Sequence, residues 1–540
     1  MKRYFAILLA VTLLISLSTS FASAEGKEIT WARSYDSSTL DPAEASDDNS
    51  INIVAYIGEG LVRYVNGEVV PGVAESWDVS ADGLTYTFHL RQSTWSDGTP
   101  VTANDFVYSF IRLIDPANGH AQASGGYIFK NSQSFAEGTA EVADVGCKAL
   151  DDYTLEVQFE NTGLENLFSL TKSMFVPVKQ SLADALETAY GSDMDKVLGN
   201  GPFVITEWAH EDRIVLEKNQ AYWNADAIHM DKLTGLANVA NDIAMEMMQT
   251  GVVDLCGFTD PLYTEPLLAE GFKETTIANP YQFLHINLQG RTEDTGRFLS
   301  NVNFRRALSY ALDRTALSMS VLQGREPAYR LVDPSRQGVS GPYVDEYPLD
   351  NGINVTTDAE QAQYYLNLAL EELGATLADV PEFSMLCYES PTSQLALQAS
   401  QDMFLTVLGI HCVIDPQPVQ QMMGKVFSYD YDFWFGGLGT GQMDEVSYDG
   451  ILPYYDSSVE GQLFGYDNPA FNELLATAQT TLDLQVRKDT LFELEKIFCE
   501  DVPTLLLGWT TLRYIYRSDI ILHGTNSSYG VDLAFIDLAE

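Results

Sequence analysis

At 540 residues, the chain exceeds the size at which a single hydrophobic core keeps growing, so we expect two or more domains. Its hydrophobic content of 46% excludes an intrinsically disordered protein. The formal net charge of −46 at pH 7 would repel nucleic acid and anionic membrane surfaces, so neither is an expected partner.

Residues 1–24 have the pattern of a secretory signal peptide. Lys2 and Arg3 form a positive start, residues 5–17 an apolar run, and Ala22-Ser23-Ala24 a small-residue cleavage site. The apolar run is shorter than the about 20 residues that span a bilayer, and no later segment qualifies. We therefore expect an exported protein, periplasmic or at the cell surface, with an uncleaved anchor as the alternative. No cysteine lies near the cleavage site, so no lipid anchor is expected.

The start of the mature chain combines short strands with one helix. The segment beginning at Glu28 is predicted to form a strand that leads into a polar turn at residues 40–42. A helix is predicted from about Ser50, and its candidate inward-facing residues are Ile53, Ala55, Tyr56 and Leu61. Asp82-Gly83 and the alternating apolar residues after it predict a hairpin with a tight turn.

Dense local signals around residue 102 predict a capped helix. Thr102 suits the N-cap position, and Asp105 three residues later completes a capping box. Val101 and Phe106 occupy the positions of a hydrophobic staple. Further strands are predicted from Asp151 and within residues 199–224.

The pattern changes after about residue 280, where helices alternate with strands. Residues 279–290 are predicted to form a strand. Residues 301–314 are predicted to form a helix, whose apolar face comprises Phe304, Ala307, Leu308 and Ala311. Another helix is predicted to begin with a capping box of Thr357 and Glu360 and to end at Gly374.

A βαβ unit is predicted within residues 382–415. A strand at 382–388, a helix at 393–409 and a strand at 410–415 follow one another, which predicts parallel pairing of the two strands. No Pro- or Ser-rich linker interrupts the chain, so we expect ordered crossing strands between domains instead of a flexible tether.

The motifs of common enzymes and metal sites are absent from the sequence. The segment GVSG at 338–341 is one residue short of a nucleophile elbow, and no phosphate-binding GxxxxGK[ST] occurs. None of the seven histidines lies three or four residues from another, and His89, His285 and His411 are expected to be structural residues in strands. We therefore expect no catalytic residue, no metal ligand and no cofactor.

The five cysteines are dispersed, without a CxxC pair. They are Cys147, Cys256, Cys387, Cys412 and Cys499. An exported protein permits one or two disulfides among them, but the odd count leaves at least one thiol unpaired.

A glycine-rich stretch, DFWFGGLGTGQMDE, occupies residues 432–445. Gln442 stands where a dinucleotide fingerprint needs its third glycine, so phosphate binding is disfavoured. Aromatic residues beside the exposed backbone of glycines suit a cleft that grips a ligand by stacking and main-chain contacts. These aromatic residues are Tyr281, Phe283, Trp434 and Phe435. The alternative is that they are ordinary core residues.

Several blocks resemble one known family in the family's own order. They are LDPAEASD, GEGLVRY, the long block from Pro71 to Pro116, GNGPFVITEW, NVNFRRALSYALDR and YDNPAFNELL. Together they resemble the family 5 extracellular solute-binding proteins that feed ABC importers of oligopeptides, dipeptides and nickel. The resemblance covers essentially the whole mature chain.

The resemblance implies a two-lobed α/β fold of the periplasmic-binding-protein type. A discontinuous first-lobe domain would comprise residues 25–70, 196–280 and 510–540, with residues 71–195 as an extra strand-rich subdomain. Residues 281–509 would form the second lobe. The lobes would close by a hinge on a solute between them, and a monomer would deliver it to the membrane permease without catalysis.

The resemblance also implies positions for the ligand-binding residues. Near the start of the chain these are Asp36 and Ser37, and after the first long helix Gln122 and Tyr127. In the second lobe they are Tyr281, Phe283, Trp434, Phe435, Gly437, Leu438 and Gly439.

One position departs from the family pattern. In peptide-binding relatives, an aspartate in the segment that corresponds to residues 435–439 pairs with the peptide's α-ammonium. At that position this chain has Leu438 or a glycine. The lost charge-assisted hydrogen bond is worth roughly 1.5–3 kcal/mol. Asp444 or Glu445 could replace the aspartate, the peptide could be held by its backbone, or the ligand could be another solute such as a glycan.

We therefore expect a non-enzymatic binding protein for an oligopeptide-like ligand. One alternative keeps the fold but binds a carbohydrate or another non-peptide solute. A second alternative is a secreted hydrolase, suggested by the export signal and the 76 carboxylates.

Overall fold

The computed structural model describes residues 26–539, except 66–67, 323–324, 351, 439–443, 448–449, 459–463, 465, 524 and 527–529. The predicted signal peptide and Gly439 therefore lie outside the described residues. Within the described part of the chain, no helix is both long enough and apolar enough to cross a bilayer.

Strands and helices alternate irregularly along the chain. The strands are β1 (Glu28–Ala32), β2 (Val62–Val65), β3 (Glu68–Pro71), β4 (Ala74–Val79), β5 (Thr85–Leu90), β6 (Cys147–Asp151), β7 (Thr154–Gln158), β8 (Phe203–Ala209), β9 (Arg213–Lys218), β10 (Lys232–Leu236), β11 (Leu255–Phe258), β12 (Lys273–Ile286), β13 (Arg325–Pro327), β14 (Phe383–Tyr388), β15 (Cys412–Gln417), β16 (Phe433–Leu438), β17 (Thr504–Tyr516), β18 (Ile520–Ile521), β19 (Thr525–Asn526), β20 (Gly530–Val531) and β21 (Asp537–Leu538).

The α-helices are α1 (Asp48–Ile57), α2 (Ala103–Ile114), α3 (Ser132–Ala136), α4 (Glu165–Ser169), α5 (Gln180–Leu186), α6 (Asn241–Gln249), α7 (Pro261–Ala269), α8 (Glu293–Leu299), α9 (Val302–Ala311), α10 (Arg314–Ser320), α11 (Tyr343–Glu346), α12 (Ala359–Leu373), α13 (Pro391–Leu408), α14 (Val419–Phe427), α15 (Pro469–Thr480) and α16 (Leu484–Asp501).

The largest sheet contains 11 strands and runs through the whole molecule. Its order is β15-β14-β16-β12-β17-β11-β1-β10-β9-β8, with β13 paired to β17. The long antiparallel pair β12 and β17 lies in the middle, with strands from the first half of the chain on one side and β14–β16 on the other. The pairing of β12 with β17 shifts register between Ala278 and Tyr281 and again between Gln282 and Phe283.

A separate four-stranded antiparallel sheet, in the order β4-β5-β7-β6, lies within the first half of the chain. Gly83 has φ +72° between β4 and β5, which confirms the predicted tight hairpin. The capped helix is confirmed as α2, because the Thr102 backbone N–H donates to Asp105 Oδ2 at 2.7 Å. Val101 and Phe106 are both fully buried at the start of this helix.

The βαβ unit is confirmed by β14, α13 and β15, because the two strands pair in parallel. Helix α9 buries the predicted face of Phe304, Ala307, Leu308 and Ala311. Helix α12 ends at Gly374, which has the left-handed conformation expected of a C-cap.

Three local predictions are wrong in detail. The N-cap of α12 is Asp358, which accepts from the Gln361 backbone N–H at 3.0 Å, whereas the Thr357 hydroxyl donates to Ala311 O. The carboxylate of Asp358, one residue later, therefore caps the helix in place of the predicted capping box. Leu61 is buried but follows α1 instead of lying on it, and His411 directly precedes β15 instead of lying in it.

All five cysteines are free thiols, so none of the permitted disulfides is present.

Candidate ligand-binding site

A cavity of about 270 Å³ lies where β1 and β11 end. These neighbouring strands are parallel, so their carboxyl ends lie at the same edge of the sheet, where open α/β sheets place ligands. Arg33 follows β1 directly and Thr259 follows β11. The cavity is also lined by Asn52 and Tyr56 from α1 and by Tyr514 from β17.

Two residues of this cavity carry buried polar atoms that lack a hydrogen-bond partner among the described residues. They are Arg33 Nε, a donor, and Asn52 Oδ1, an acceptor. Buried polar groups in folded proteins are nearly always hydrogen-bonded, so such atoms beside a cavity indicate a polar ligand or water. Both atoms are themselves buried, so a ligand in the cavity would satisfy them only after the two side chains turn towards it.

The carboxylate of Asp36 is already surrounded by protein donors next to this cavity. Within 2.8–3.1 Å of its oxygens lie Arg33 Nη2, Trp208 Nε1, His210 Nδ1 and the backbone nitrogens of Ser37 and Glu211. Burial by itself would raise the pKa of Asp36, but the hydrogen bonds outweigh it and lower the pKa below its ordinary value. A ligand ammonium would have to displace one of these donors to reach the carboxylate.

Ser37 and Gln122 are also held by the protein near this region, whereas Tyr127 belongs to a different core. The Ser37 hydroxyl accepts from Arg33 Nη1 at 3.1 Å, and Gln122 Nε2 donates to the Ala45 carbonyl at 3.1 Å. Tyr127 is half-buried against the core of the four-stranded sheet. Asp36 and Ser37 follow the cavity-lining Tyr35 along the chain, but among the described residues neither they nor Gln122 line the cavity.

A larger and more open cavity, about 1400 Å³, lies on the other side of the Ser38–Ser46 segment. Several of its polar groups are paired within the protein: Arg112 donates two hydrogen bonds to Asp41, and Tyr108 donates to Asp184. We therefore regard the smaller cavity as the better candidate for specific recognition.

The four predicted aromatic residues of the second half of the chain lie in its core. Tyr281, Phe283, Trp434 and Phe435 are at most 6% exposed. The Tyr281 hydroxyl lies 2.7 Å from Leu331 O, and the Phe283 and Trp434 rings pack edge to face with centroids 5.5 Å apart. In this structure they match the core alternative, and their contact with a ligand stays a prediction.

The glycines of β16 are explained by close packing and not by phosphate binding. A Cβ on Gly436 would lie 2.8 Å from Trp434 Cζ2 and 3.1 Å from Phe283 Cε2. One on Gly437 would lie 3.0 Å from Tyr281 O, and neither glycine has a positive φ. Leu438 pairs opposite Tyr281 at the end of the strand.

The two acids that follow the glycines are buried and paired. Asp444 accepts from Arg487 Nη2 at 2.7 Å and from Lys488 Nζ at 2.9 Å. Glu445 lies 3.3 Å from Arg336 Nε and 2.9 Å from the Tyr281 hydroxyl. Replacement of the family aspartate by either acid would require breaking these buried contacts.

The surroundings shift the pKa values of these two acids in opposite directions. Burial would raise the pKa of Asp444, but the charges of Arg487 and Lys488 hold it well below its ordinary value. Burial raises the pKa of Glu445 in spite of the nearby Arg336.

No sequence motif marks Arg33 or Asn52. The available signal was positional, because Arg33 follows the first predicted strand and Asn52 lies in the first turns of the next predicted helix. The parallel pairing of β1 with β11, which makes this sheet edge a candidate site, is visible only in the structure.

Comparison with known proteins identifies the family. Residues 68–458 match the bacterial extracellular solute-binding proteins, family 5 (Middle). The oligopeptide-binding protein OppA of Bacillus subtilis is 29% identical over 512 residues, which cover 91% of this chain and 89% of the relative.

Solved structures share the fold. The periplasmic murein tripeptide-binding protein MppA, in its unliganded open form, has a TM-score of 0.79 at 24% identity and covers 95% of this chain and 98% of its own. OppA of Listeria monocytogenes bound to peptide has a TM-score of 0.68 at 22% identity, with coverages of 96% and 100%. The two-lobed periplasmic-binding-protein fold is therefore confirmed, and the chain belongs to the bacterial extracellular solute-binding proteins of family 5.

Proposed function

We propose that this protein captures an oligopeptide-like solute outside the cytoplasm and delivers it to the permease of an ABC importer. Family membership supports a binding protein, and the relatives OppA and MppA are named for oligopeptides and a murein tripeptide. The carbohydrate-binding and hydrolase alternatives gain no support from these names. We infer a monomer without catalytic activity that is exported without a lipid anchor.

The observation that carries this proposal is the pair of unsatisfied atoms at the 270 Å³ cavity. Once the two side chains turn towards the cavity, a peptide backbone offers a carbonyl oxygen for Arg33 Nε and an N–H for Asn52 Oδ1. Recognition through backbone groups would not require the aspartate that peptide-binding relatives use for the α-ammonium. It is also compatible with many side-chain sequences.

The cavity receives residues from one proposed lobe only. All of its walls come from residues 31–56, 239–259 and 512–533, and none from 281–509. We infer that residues 281–509 form the second lobe and cover the ligand by a hinge movement, with residues 71–195 attached to the first lobe. The predicted ligand-binding residues of the second lobe would then contact the ligand only where that lobe approaches the cavity. These residues are Tyr281, Phe283, Trp434, Phe435, Gly437, Leu438 and Gly439.

The proposed boundary between the lobes coincides with an irregularity in the central strands. The ladder of β12 and β17 shifts register between Ala278 and Tyr281. A bulge disrupts ladder hydrogen bonds and bends the strand, which suits a hinge. We therefore propose residues 278–283 as one hinge segment.

Calorimetric titration with peptides tests the function. The mature protein, cleared of co-purified ligand by unfolding and refolding, is titrated with trialanine to hexaalanine, N-acetyl-tetraalanine and maltotetraose. We expect saturable binding of one peptide per chain, less than about a tenfold loss of affinity on N-acetylation, and no binding of the oligosaccharide. A tenfold loss corresponds to about 1.4 kcal/mol, which is smaller than a charge-assisted anchor would give.

The site is tested by Asn52→Ala, with Asn303→Ala as the matched control. Asn303 lies on α9 and its amide donates to Glu372, far along the chain from the cavity. We expect about a tenfold loss of peptide affinity for the first variant and none for the second, since one hydrogen bond contributes about 1 kcal/mol or more. Equal affinity of both variants would move the site elsewhere, and absence of binding at every peptide length would reject the peptide ligand.

A further inference from the structure

Three potential metal ligands that are distant in sequence meet at the surface. The side-chain donor atoms of His229, His523 and Asp537 all lie within 4.8 Å of one another. His229 Nδ1 lies 3.9 Å from Asp537 Oδ2, and the two imidazole rings have centroids 5.8 Å apart. None of the three residues lines the cavity proposed for the solute.

The fold places these residues together through two separate pairings. His229 precedes β10, which is paired to β1. Asp537 belongs to β21, and it pairs with Ile521 of β18, two residues before His523. The cluster therefore joins the C-terminal segment of the chain to the start of the first-lobe sheet.

The carboxylate of this cluster is held in position by a cation. Lys27 Nζ donates to Asp537 Oδ1, and Oδ2 is the oxygen nearest to His229. A positioned second group of this kind commonly orients a metal-binding side chain.

Two imidazole nitrogens and one carboxylate oxygen match the donors that Zn²⁺ and the neighbouring divalent transition metals prefer. Tetrahedral coordination at about 2.0–2.1 Å brings ligand atoms to about 3.3 Å from one another. The His229 side chain is 42% exposed and that of Asp537 is 21% exposed. Rotation of the exposed rings that moves their nitrogen atoms by about an ångström would bring the ligand atoms to this spacing.

We propose that His229, His523 and Asp537 bind one divalent transition-metal ion of the Zn²⁺ type, with water in the remaining position. The ion ties the C-terminal segment to the first lobe without entering the solute site. Spacing rules detect only ligands that are close along the chain, so these three residues, which the fold brings together, carry no metal-site signal in the sequence.

Calorimetric titration of the mature, EDTA-treated protein with ZnSO₄ tests the proposal. We expect one site per chain and a loss of affinity of at least about tenfold in His523→Gln and in His229→Gln. Zn²⁺ should raise the melting temperature of the unsubstituted protein and not that of these two variants. Co²⁺ in place of Zn²⁺ should give visible d–d bands that both variants lose.

His89→Gln is the matched control, because His89 Nε2 lies 2.8 Å from Asp78 in an exposed pair without a third ligand. The control should bind Zn²⁺ as the unsubstituted protein does. Both histidines of the proposed site are on the surface, and circular dichroism verifies that each variant is folded. Absence of a stoichiometric site, or Zn²⁺ affinity unchanged in both variants, would overturn the proposal, since it would indicate only diffuse attraction to a strongly acidic surface.

Discussion

The first-lobe and second-lobe parts of the predicted ligand-binding set differ in their surroundings. Asp36 and Ser37 are polar, lie beside a cavity and share Arg33 as a partner. Tyr281 and Trp434 are packed in the core. Resemblance to a family predicts where a residue lies in the fold. It does not predict the exposed fraction of the side chain, because that depends on neighbours outside the motif.

The carboxylates of the two regions also differ in their surroundings. The carboxylate of Asp36 is saturated by hydrogen bonds near a cavity, whereas Asp444 is enclosed by Arg487 and Lys488 away from it. Asp444 thus stabilises the packing around α16, whereas the unsatisfied polar atoms belong to Arg33 and Asn52, which line the cavity. Substitutions in the two regions should therefore affect different measurements.

The largest effect is expected for Arg487→Met. The substitution leaves Asp444 and Glu165 buried without their shared guanidinium, so the free energy of unfolding should fall by about 3–5 kcal/mol. Urea denaturation measures the change. Lys496→Met on the same helix, where the ion pair with Glu493 is exposed, is the control and should cost less than about 1 kcal/mol. A loss as small in Arg487→Met would mean that these acids are not structural.

A steric effect is expected for Gly436→Ala. Its Cβ would lie 2.8 Å from the Trp434 ring, so the free energy of unfolding should fall by about 1–3 kcal/mol, while the folded protein keeps its peptide affinity. Gly424→Ala in α14 meets no atom within 4 Å and should stabilise the protein by about 0.5–1 kcal/mol. Loss of peptide affinity in Gly436→Ala without destabilisation would return this strand to the ligand site.

The pH dependence of stability should reveal the buried His285. Burial lowers the pKa of His285 to about 3, whereas an unfolded histidine titrates near about 6.5. Below pH 6.5 the unfolded state binds a proton that the folded state refuses, so stability is lost as pH falls towards 3, by up to about 1.4 kcal/mol per pH unit.

Denaturation at several pH values should show this slope reduced in His285→Gln and retained in His89→Gln, whose ring is partly exposed. Equal slopes in the protein and in the His285 variant would show that the ring is solvated, contrary to its place in the second-lobe core.

The smallest effect is expected for Tyr281→Phe. Loss of the hydroxyl near Leu331 O and Glu445 should cost about 1 kcal/mol of unfolding free energy and leave peptide affinity within about twofold. Denaturation and calorimetric titration measure the two quantities. If instead affinity falls as far as in Asn52→Ala, Tyr281 contacts the ligand and the contrast between the lobes fails.

Features with local causes could be predicted from the sequence. The hairpin at Asp82-Gly83, the capping box at Thr102 and the βαβ unit each depend on residues within one or two elements. The exact first residue of a helix is harder to predict, because neighbouring residues such as Thr357 and Asp358 can both act as the N-cap.

Features that depend on distant partners could not be predicted. Glu165 and Arg487 are more than 300 residues apart, and nothing local shows that their side chains meet. A strand with alternating aromatic residues looks the same in sequence whether one face meets the core or a cleft, so Tyr281 and Trp434 remained ambiguous. The cavity residues Arg33 and Asn52 carry no motif.

The order of strands in the large sheet has a consequence for synthesis of the chain. Strand β11 pairs with β1 at a single position, Trp31 with Leu255, and otherwise with β17. Until residues 504–516 have left the ribosome, β11 and β12 present edges without their main partner, and unpaired edges invite aggregation. A chaperone or the export machinery that holds the nascent chain unfolded until its last segment is made would protect those edges.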